Sequence, residues 1–245
     1  MGGAHVTQRP AFYALDSGGW RDYWSLLHPP YTLWHLSFVA IGACVVPVIR
    51  PAYLGLALLA FFLAVGIAAH ALDELRGRPL RTRIPDAILI AVAALALVGA
   101  AAVGVYGASL VSWWGLVFIG VGGFLVPAYN LEWFGGAFHS DLWFALMWGG
   151  FPALAGAFAQ LGRINIATLF VCAGCAFISG AQRRLSTPVR RIRRRVSSVS
   201  GELVEDDLTE PITEATLTEA PEGALRLMWI AMVALAVGLV IARWP

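Results

Sequence analysis

Seven runs of about twenty apolar residues dominate this chain, and that is the length an α-helix needs to cross the hydrocarbon core of a bilayer. They lie at roughly Tyr31–Ile49, Tyr53–Leu72, Ala87–Tyr106, Leu110–Tyr129, Asp141–Leu161, Ile164–Ala181 and Leu225–Ala242. Composition points the same way. Of 245 residues 59% are hydrophobic and 13% charged, with a mean hydropathy of +0.72, too little polar surface for a soluble domain of this size. A membrane barrel would show alternating segments of about ten residues, and no such pattern is present. The expected architecture is therefore all-α: a polytopic helical bundle of about seven transmembrane helices. Residues 1–30 form an interfacial N-terminal segment and 31–245 a single transmembrane domain.

The cysteines Cys44, Cys172 and Cys175 all fall inside apolar runs, where they pack as small hydrophobes, so no disulfide framework is expected. The first thirty residues lack the apolar core of a cleavable signal; Phe12, Tyr13, Trp20, Tyr23 and Trp24 suit a segment at headgroup level. All seventeen basic residues are Arg, and they are unevenly placed. Thirteen lie before the first run or in the loops after the second and sixth. Arg50, Arg163 and Arg243 lie on the other side, and Arg226 sits at the edge of the last run. The positive-inside rule then puts the N-terminus in the cytoplasm and the C-terminus outside, in the cell membrane.

The long loop, about 183–224, opens with an arginine run and continues into Glu202, Glu205, Asp206, Asp207 and Glu210. Its expected form is a solvated, partly disordered segment with its basic end on anionic lipid; a lid over a cytoplasmic cavity is the alternative. A faint internal repeat is visible, because the second and sixth runs both end in polar loops containing Arg and Pro.

The chemistry concentrates where the second run ends, in Ala69-His70-Ala71-Leu72-Asp73-Glu74-Leu75-Arg76-Gly77-Arg78-Pro79-Leu80. Ionisable groups at the mouth of a membrane helix are costly and usually functional. His70, Asp73 and Glu74, at i, i+3 and i+4, share one helical face. Carboxylates near a helix C-terminus also oppose its dipole, so a compensating charge is expected. Arg76, Arg78 and Arg81 can supply it by pairing with the acids, or a divalent cation can. Mg²⁺ needs only one or two carboxylates when phosphate oxygens complete its shell, and Arg recognises phosphate bidentately. Carboxylate, several arginines and a lipid-facing cavity together suit a diphosphate head on a hydrocarbon tail. His35, Tyr129, Asn130, Glu132, His139 and Asp141 lie near other span ends on the same side and can complete the mouth or supply a base.

These residues resemble the UbiA superfamily of intramembrane prenyltransferases. There the second and sixth helices end in cytoplasmic Asp-rich motifs that hold Mg²⁺-diphosphate, the first closed by Arg-Pro-Leu. Arg78-Pro79-Leu80 matches that closure and Asp73 one Asp position, while Gly77 replaces the next Asp and Gln182, Arg183 and Arg184 replace the second motif. The resemblance implies an enzyme acting on a prenyl diphosphate by transfer or cyclisation. Asp73, Glu74 and His70 would be catalytic, with Mg²⁺ on Asp73 and Glu74 and diphosphate on Arg76, Arg78, Arg81, Arg183, Arg184 and Arg190. Two other readings stand beside it. One is a non-catalytic protein of the same fold that binds or moves an anionic lipid; the other is a seven-helix zinc hydrolase using His35, His70 and His139.

Overall fold

The computed structural model describes residues 9–245, so the first eight residues of the expected N-terminal segment lie outside it. The described chain is mostly helical. A short helix, α1 (Trp20–Leu26), precedes α2 (Pro29–Ala43), α3 (Pro51–Leu75), α4 (Asp86–Val111), α5 (Gly115–Asn130), α6 (Asp141–Leu161), α7 (Ile166–Arg195) and α8 (Glu214–Arg243). Five of these, α3, α4, α6, α7 and α8, are long and apolar enough to cross a membrane. Of the other two expected spans, α2 has 15 residues and α5 has 16, each short of the roughly 20 a perpendicular crossing requires. The molecule is a helical membrane bundle.

Local chemistry sets the helix ends. Pro29 and Pro51 stand at first helical positions, where a missing N–H costs nothing. Asn165 caps α7 by accepting from the Thr168 N–H at 2.8 Å, and Thr213 forms a reciprocal capping box with Thr216 at the start of α8. Gly77, with φ of 85°, takes the left-handed position that stops α3.

Two glycines bring α2 and α6 into backbone contact. A Cβ at Gly42 would overlap the Ala153 carbonyl, and one at Gly156 would overlap the Val39 carbonyl. Close approach through small residues is how membrane helices gain dispersion energy without a hydrophobic driving force. At one end of the bundle the Ile49 N–H donates to the Arg243 carbonyl at 2.9 Å and the Arg50 N–H to Gln160 Oε1 at 2.8 Å. This end ties the α2–α3 connection to α6 and α8. Outward faces are apolar, as lipid contact requires: Leu95, Val98, Phe170 and Phe177 are all largely exposed.

Two expectations change here. The loop starting at residue 183 is much shorter, because α7 continues through Pro188 to Arg195 and α8 begins at Glu214. What remains between them is ordered as a hairpin, β1 (Glu202–Glu205) with β2 (Leu208–Pro211), antiparallel with Glu202 opposite Pro211. Asp206, at φ of 49°, supplies the left-handed turn residue. The hairpin is the one departure from an all-α chain among the described residues.

Candidate functional site

Both α3 and α6 contain π-helical stretches, Phe62–Ala69 and Leu146–Gly150, and such wider turns commonly mark functional positions. Each presents a main-chain carbonyl to a histidine. His35 Nδ1 donates to the Trp148 carbonyl at 2.8 Å, and His70 Nδ1 donates to the Gly66 carbonyl at 3.1 Å. Above them opens a polar cavity of about 510 Å³, at the end of the bundle opposite Arg50 and Arg243. Below them, between α3, α4, α5 and α6, lies an apolar cavity of about 200 Å³ lined by rings including Phe61, Phe118, Phe151 and Phe158. Val65 and Trp148 belong to the walls of both.

The polar cavity collects most of the residues singled out from sequence. His35, His70, Asp73, Arg76, Tyr129, Asn130, Glu132, His139, Asp141, Arg183 and Arg190 all line it. Glu74, Arg78, Arg81 and Arg184 do not. Glu74 is 1% exposed, one residue past Asp73 and so about 100° further around the helix. Its carboxylate accepts from the Leu80 N–H, the Thr82 N–H and the Thr82 hydroxyl, each at 2.9 Å. Arg78 is spent in the same loop, donating to the Ile84 carbonyl at 2.6 Å and pairing with Asp86. Arg81 and Arg184 are exposed. Arg78-Pro79-Leu80 is therefore a loop closure clamped by Glu74. A second clamp is Asp22, which accepts from the N–H groups of Gly18 and Arg83 at 2.9 Å each.

The expected Asp73/Glu74 pair for Mg²⁺ is thus split, with Asp73 alone facing the cavity. No group of three His, Cys, Asp or Glu among the described residues is placed to hold a metal ion, and guanidinium groups occupy the opposite wall. The residues do not fit the expected metal site. His35, His70 and His139 likewise do not converge; His139 Nδ1 donates to the Tyr129 carbonyl at 3.2 Å and stacks on that ring at 4.5 Å. Asn130 donates back to the Val126 carbonyl at 2.7 Å.

What the cavity concentrates is positive charge. Its lining holds seven arginines against four carboxylates. Three pairs cancel: Arg76 with Glu132 at 2.7 Å, Arg183 with Asp141 at 2.5 Å, and Arg193 with Glu222. Arg183 also donates to the Tyr129 hydroxyl at 2.5 Å. Arg190 and Arg194, one turn apart on α7, have no carboxylate partner; Arg190 reaches only Thr187 and Arg194 only the Pro10 carbonyl. Asp73 faces both across the cavity, beyond ion-pair distance.

The N-terminal segment closes one side. Tyr13 and His28 are bound through the phenol oxygen and Nδ1 at 2.6 Å. Burial pushes the Tyr13 phenol well above its ordinary range and the His28 imidazole well below its own, so the phenol donates and the neutral ring accepts. Tyr31, Arg193, Arg194 and Glu222 also line the cavity and were not singled out from sequence, and Gln182 was noted there only as a replacement in the second motif. The signal for the α7 residues was present: 183, 187, 190 and 194 repeat at three- and four-residue intervals, but the polar composition and Pro188 masked the helix.

Comparison with family models, with curated proteins and with solved structures finds no match to the chain.

Proposed function

We propose that this protein binds a prenyl diphosphate, head in the arginine-lined cavity and tail in the apolar one, and that it acts as a UbiA-like enzyme on that substrate. The observation that carries the reading is that Val65 and Trp148 line both cavities, so that one with excess positive charge adjoins one lined by aromatic rings. Few ligands other than an anion-headed lipid match both halves. Arg190 and Arg194, with Arg183 held by Asp141, stabilise the departing diphosphate through charge-assisted hydrogen bonds. Tyr129, Phe144 and Trp148 bring aromatic side chains to the lining, the residue type that suits an allylic cation. The gathering of arginines at this mouth supports a cytoplasmic position for it by the positive-inside rule.

A second reading is non-catalytic binding or movement of an anionic lipid. It is favoured by one specific observation, that Glu74 is spent on the 76–82 loop and leaves one unpaired acid in the cavity.

The test uses the full chain in nanodiscs with labelled prenyl diphosphates. Pyrophosphate release, with binding reduced about tenfold or more by Arg190→Gln or Arg194→Gln, supports the enzyme. Binding without release supports the second reading. Binding of neither prenyl diphosphates nor anionic lipids removes both.

A further inference from the structure

One end of the bundle carries two charged surfaces of opposite sign that the chain does not join to each other. The first is on α7. Arg184, Arg191 and Arg195, at i, i+7 and i+11, share one helical face, about a quarter turn from the inward set of Arg183, Arg190 and Arg194. All three are exposed, Arg191 and Arg195 on the rim of the polar cavity and Arg184 outside it. None forms an ion pair with a described residue. Lipid headgroups can meet Arg184, which follows directly on the apolar part of α7. Arg195 stands about 16 Å further along the helix axis, past an interfacial layer only about 5–8 Å deep.

The second surface is the β1–β2 hairpin. It carries Glu202, Glu205, Asp206, Asp207 and Glu210, and the stretch 196–213 contains no basic residue. All four residues of each strand are exposed, and each strand has one unpaired edge. None of the five acids forms an ion pair with a described residue. The register puts Leu203, Glu205, Leu208 and Glu210 on one face, with the leucines 50% and 57% exposed. A lone two-stranded hairpin is marginally stable in water. What this face lacks is a surface offering both cations and apolar stems, which is what arginine side chains present.

We infer that a second copy of this chain supplies that surface. The hairpin of one copy docks on the Arg184–Arg191–Arg195 stripe of its neighbour, and the neighbour's hairpin docks back, in a self-complementary two-fold contact. Copies in one membrane share an orientation. Because α7 ends at Arg195 and β1 begins at Glu202, stripe and hairpin lie at the same end of every copy. Exposed ion pairs are individually weak, so the contact is reversible and sensitive to salt. It is independent of what the cavity binds, so its failure and that of the prenyl diphosphate reading are separate events.

The test follows energy transfer between donor- and acceptor-labelled full chains in neutral phosphatidylcholine vesicles, where no anionic headgroup competes for the stripe. Association is expected at low salt, and it should weaken at least about tenfold at about 1 M salt, where the screening length falls to about 3 Å. Two variants each reverse one surface: Glu205→Arg with Asp207→Arg and Glu210→Arg on the hairpin, and Arg184→Glu with Arg191→Glu and Arg195→Glu on α7. Each alone should associate at least about tenfold more weakly than the native chain. Mixed together, they should regain native association, because every hairpin then meets a stripe of opposite charge. Recovery on mixing also shows that both variants are folded.

A native chain that stays single at low salt overturns the inference. So does association that salt leaves unchanged, or a mixture that fails to recover. Association only in vesicles containing phosphatidylglycerol, shared equally by the hairpin variant, assigns the stripe to lipid and overturns it too. A single native chain whose hairpin instead retains an arginine-rich peptide assigns the hairpin to a basic protein. If a reversed chain does not reconstitute, the neutral hairpin with Glu205→Gln, Asp207→Asn and Glu210→Gln decides, since undiminished association there overturns the inference.

Discussion

The imidazoles of His28 and His70 stack face to face, with ring centroids 4.1 Å apart and 16° between their planes. His28 stands just before α2 and His70 lies near the end of α3, so the stack joins the N-terminal segment to the floor of the polar cavity. Two rings in that arrangement resist a second positive charge. On its other side His28 accepts from Tyr13, which leaves the neutral form as the one that fits.

That arrangement sets a pH dependence. Burial first, and then the charge of His70 and the α7 arginines, hold the folded pKa of His28 well below its value of about 6.5 in an unfolded chain. Between those two values the unfolded state binds the extra proton. Stability from this group is therefore level above about pH 6.5 and falls as pH drops below it, by up to about 1.4 kcal/mol per pH unit. Thermal unfolding of the full chain in nanodiscs between pH 8 and 5 should show that decline, and His28→Gln should make it shallower.

Glu74 predicts a structural effect in place of a metal effect. Its three acceptor bonds hold the 76–82 loop, and Glu74→Gln replaces one acceptor oxygen with a donor that faces N–H groups. The expected loss is about 1–3 kcal/mol of stability, with no change in the response of anion binding to Mg²⁺. Unfolding midpoints measured beside Mg²⁺ titrations check both halves.

The α2–α6 crossing has no room for a side chain. Gly42→Ala and Gly156→Ala should each cost about 1–3 kcal/mol or more, because the clash is with a carbonyl on the neighbouring backbone, which cannot turn aside. Gly238→Ala on α8, where a Cβ meets nothing within 4 Å, should be neutral or slightly stabilising. The comparison is read from unfolding midpoints of the three variants.

The ion pairs should rank by burial. Arg193 and Glu222 are 20% and 8% exposed, and Glu222→Gln leaves a guanidinium poorly solvated, at an expected cost of about 2–3 kcal/mol. Arg76 and Glu132 are 54% and 37% exposed, and Glu132→Gln should cost less than about 1 kcal/mol. Raising the salt concentration should weaken only the second effect.

How much of the site was legible in the sequence depended on how local its cause was. The end of α3 could be placed from composition alone, because Gly77 and the charges that follow cannot continue an apolar helix. The fate of each charge there could not. Asp73 and Glu74 are neighbours of the same chemical type, yet one faces the cavity and the other is buried in its own loop. The difference comes from 100° of helical rotation and from the return of Leu80 and Thr82 to meet Glu74. On α7 the arginines from 183 to 195 resembled a solvated loop, since no local rule says that a polar stretch containing proline stays helical. Glu222 of α8 and the carbonyl of Pro10 hold that stretch in place, and both are distant in sequence.

The sequence by itself determined that this is a membrane helical bundle with its arginines gathered toward one end. Desolvating runs of about twenty apolar residues is favourable whatever packs beside them, and charge is expelled from those runs by its own hydration. Tertiary structure alone decided which of the gathered charges cancel and which are left over. Arg76, Arg183 and Arg193 meet carboxylates from other segments, while Arg190, Arg194 and Asp73 meet none. Pairing is a matter of a few ångströms between residues tens of positions apart, and only the packed helices set those distances.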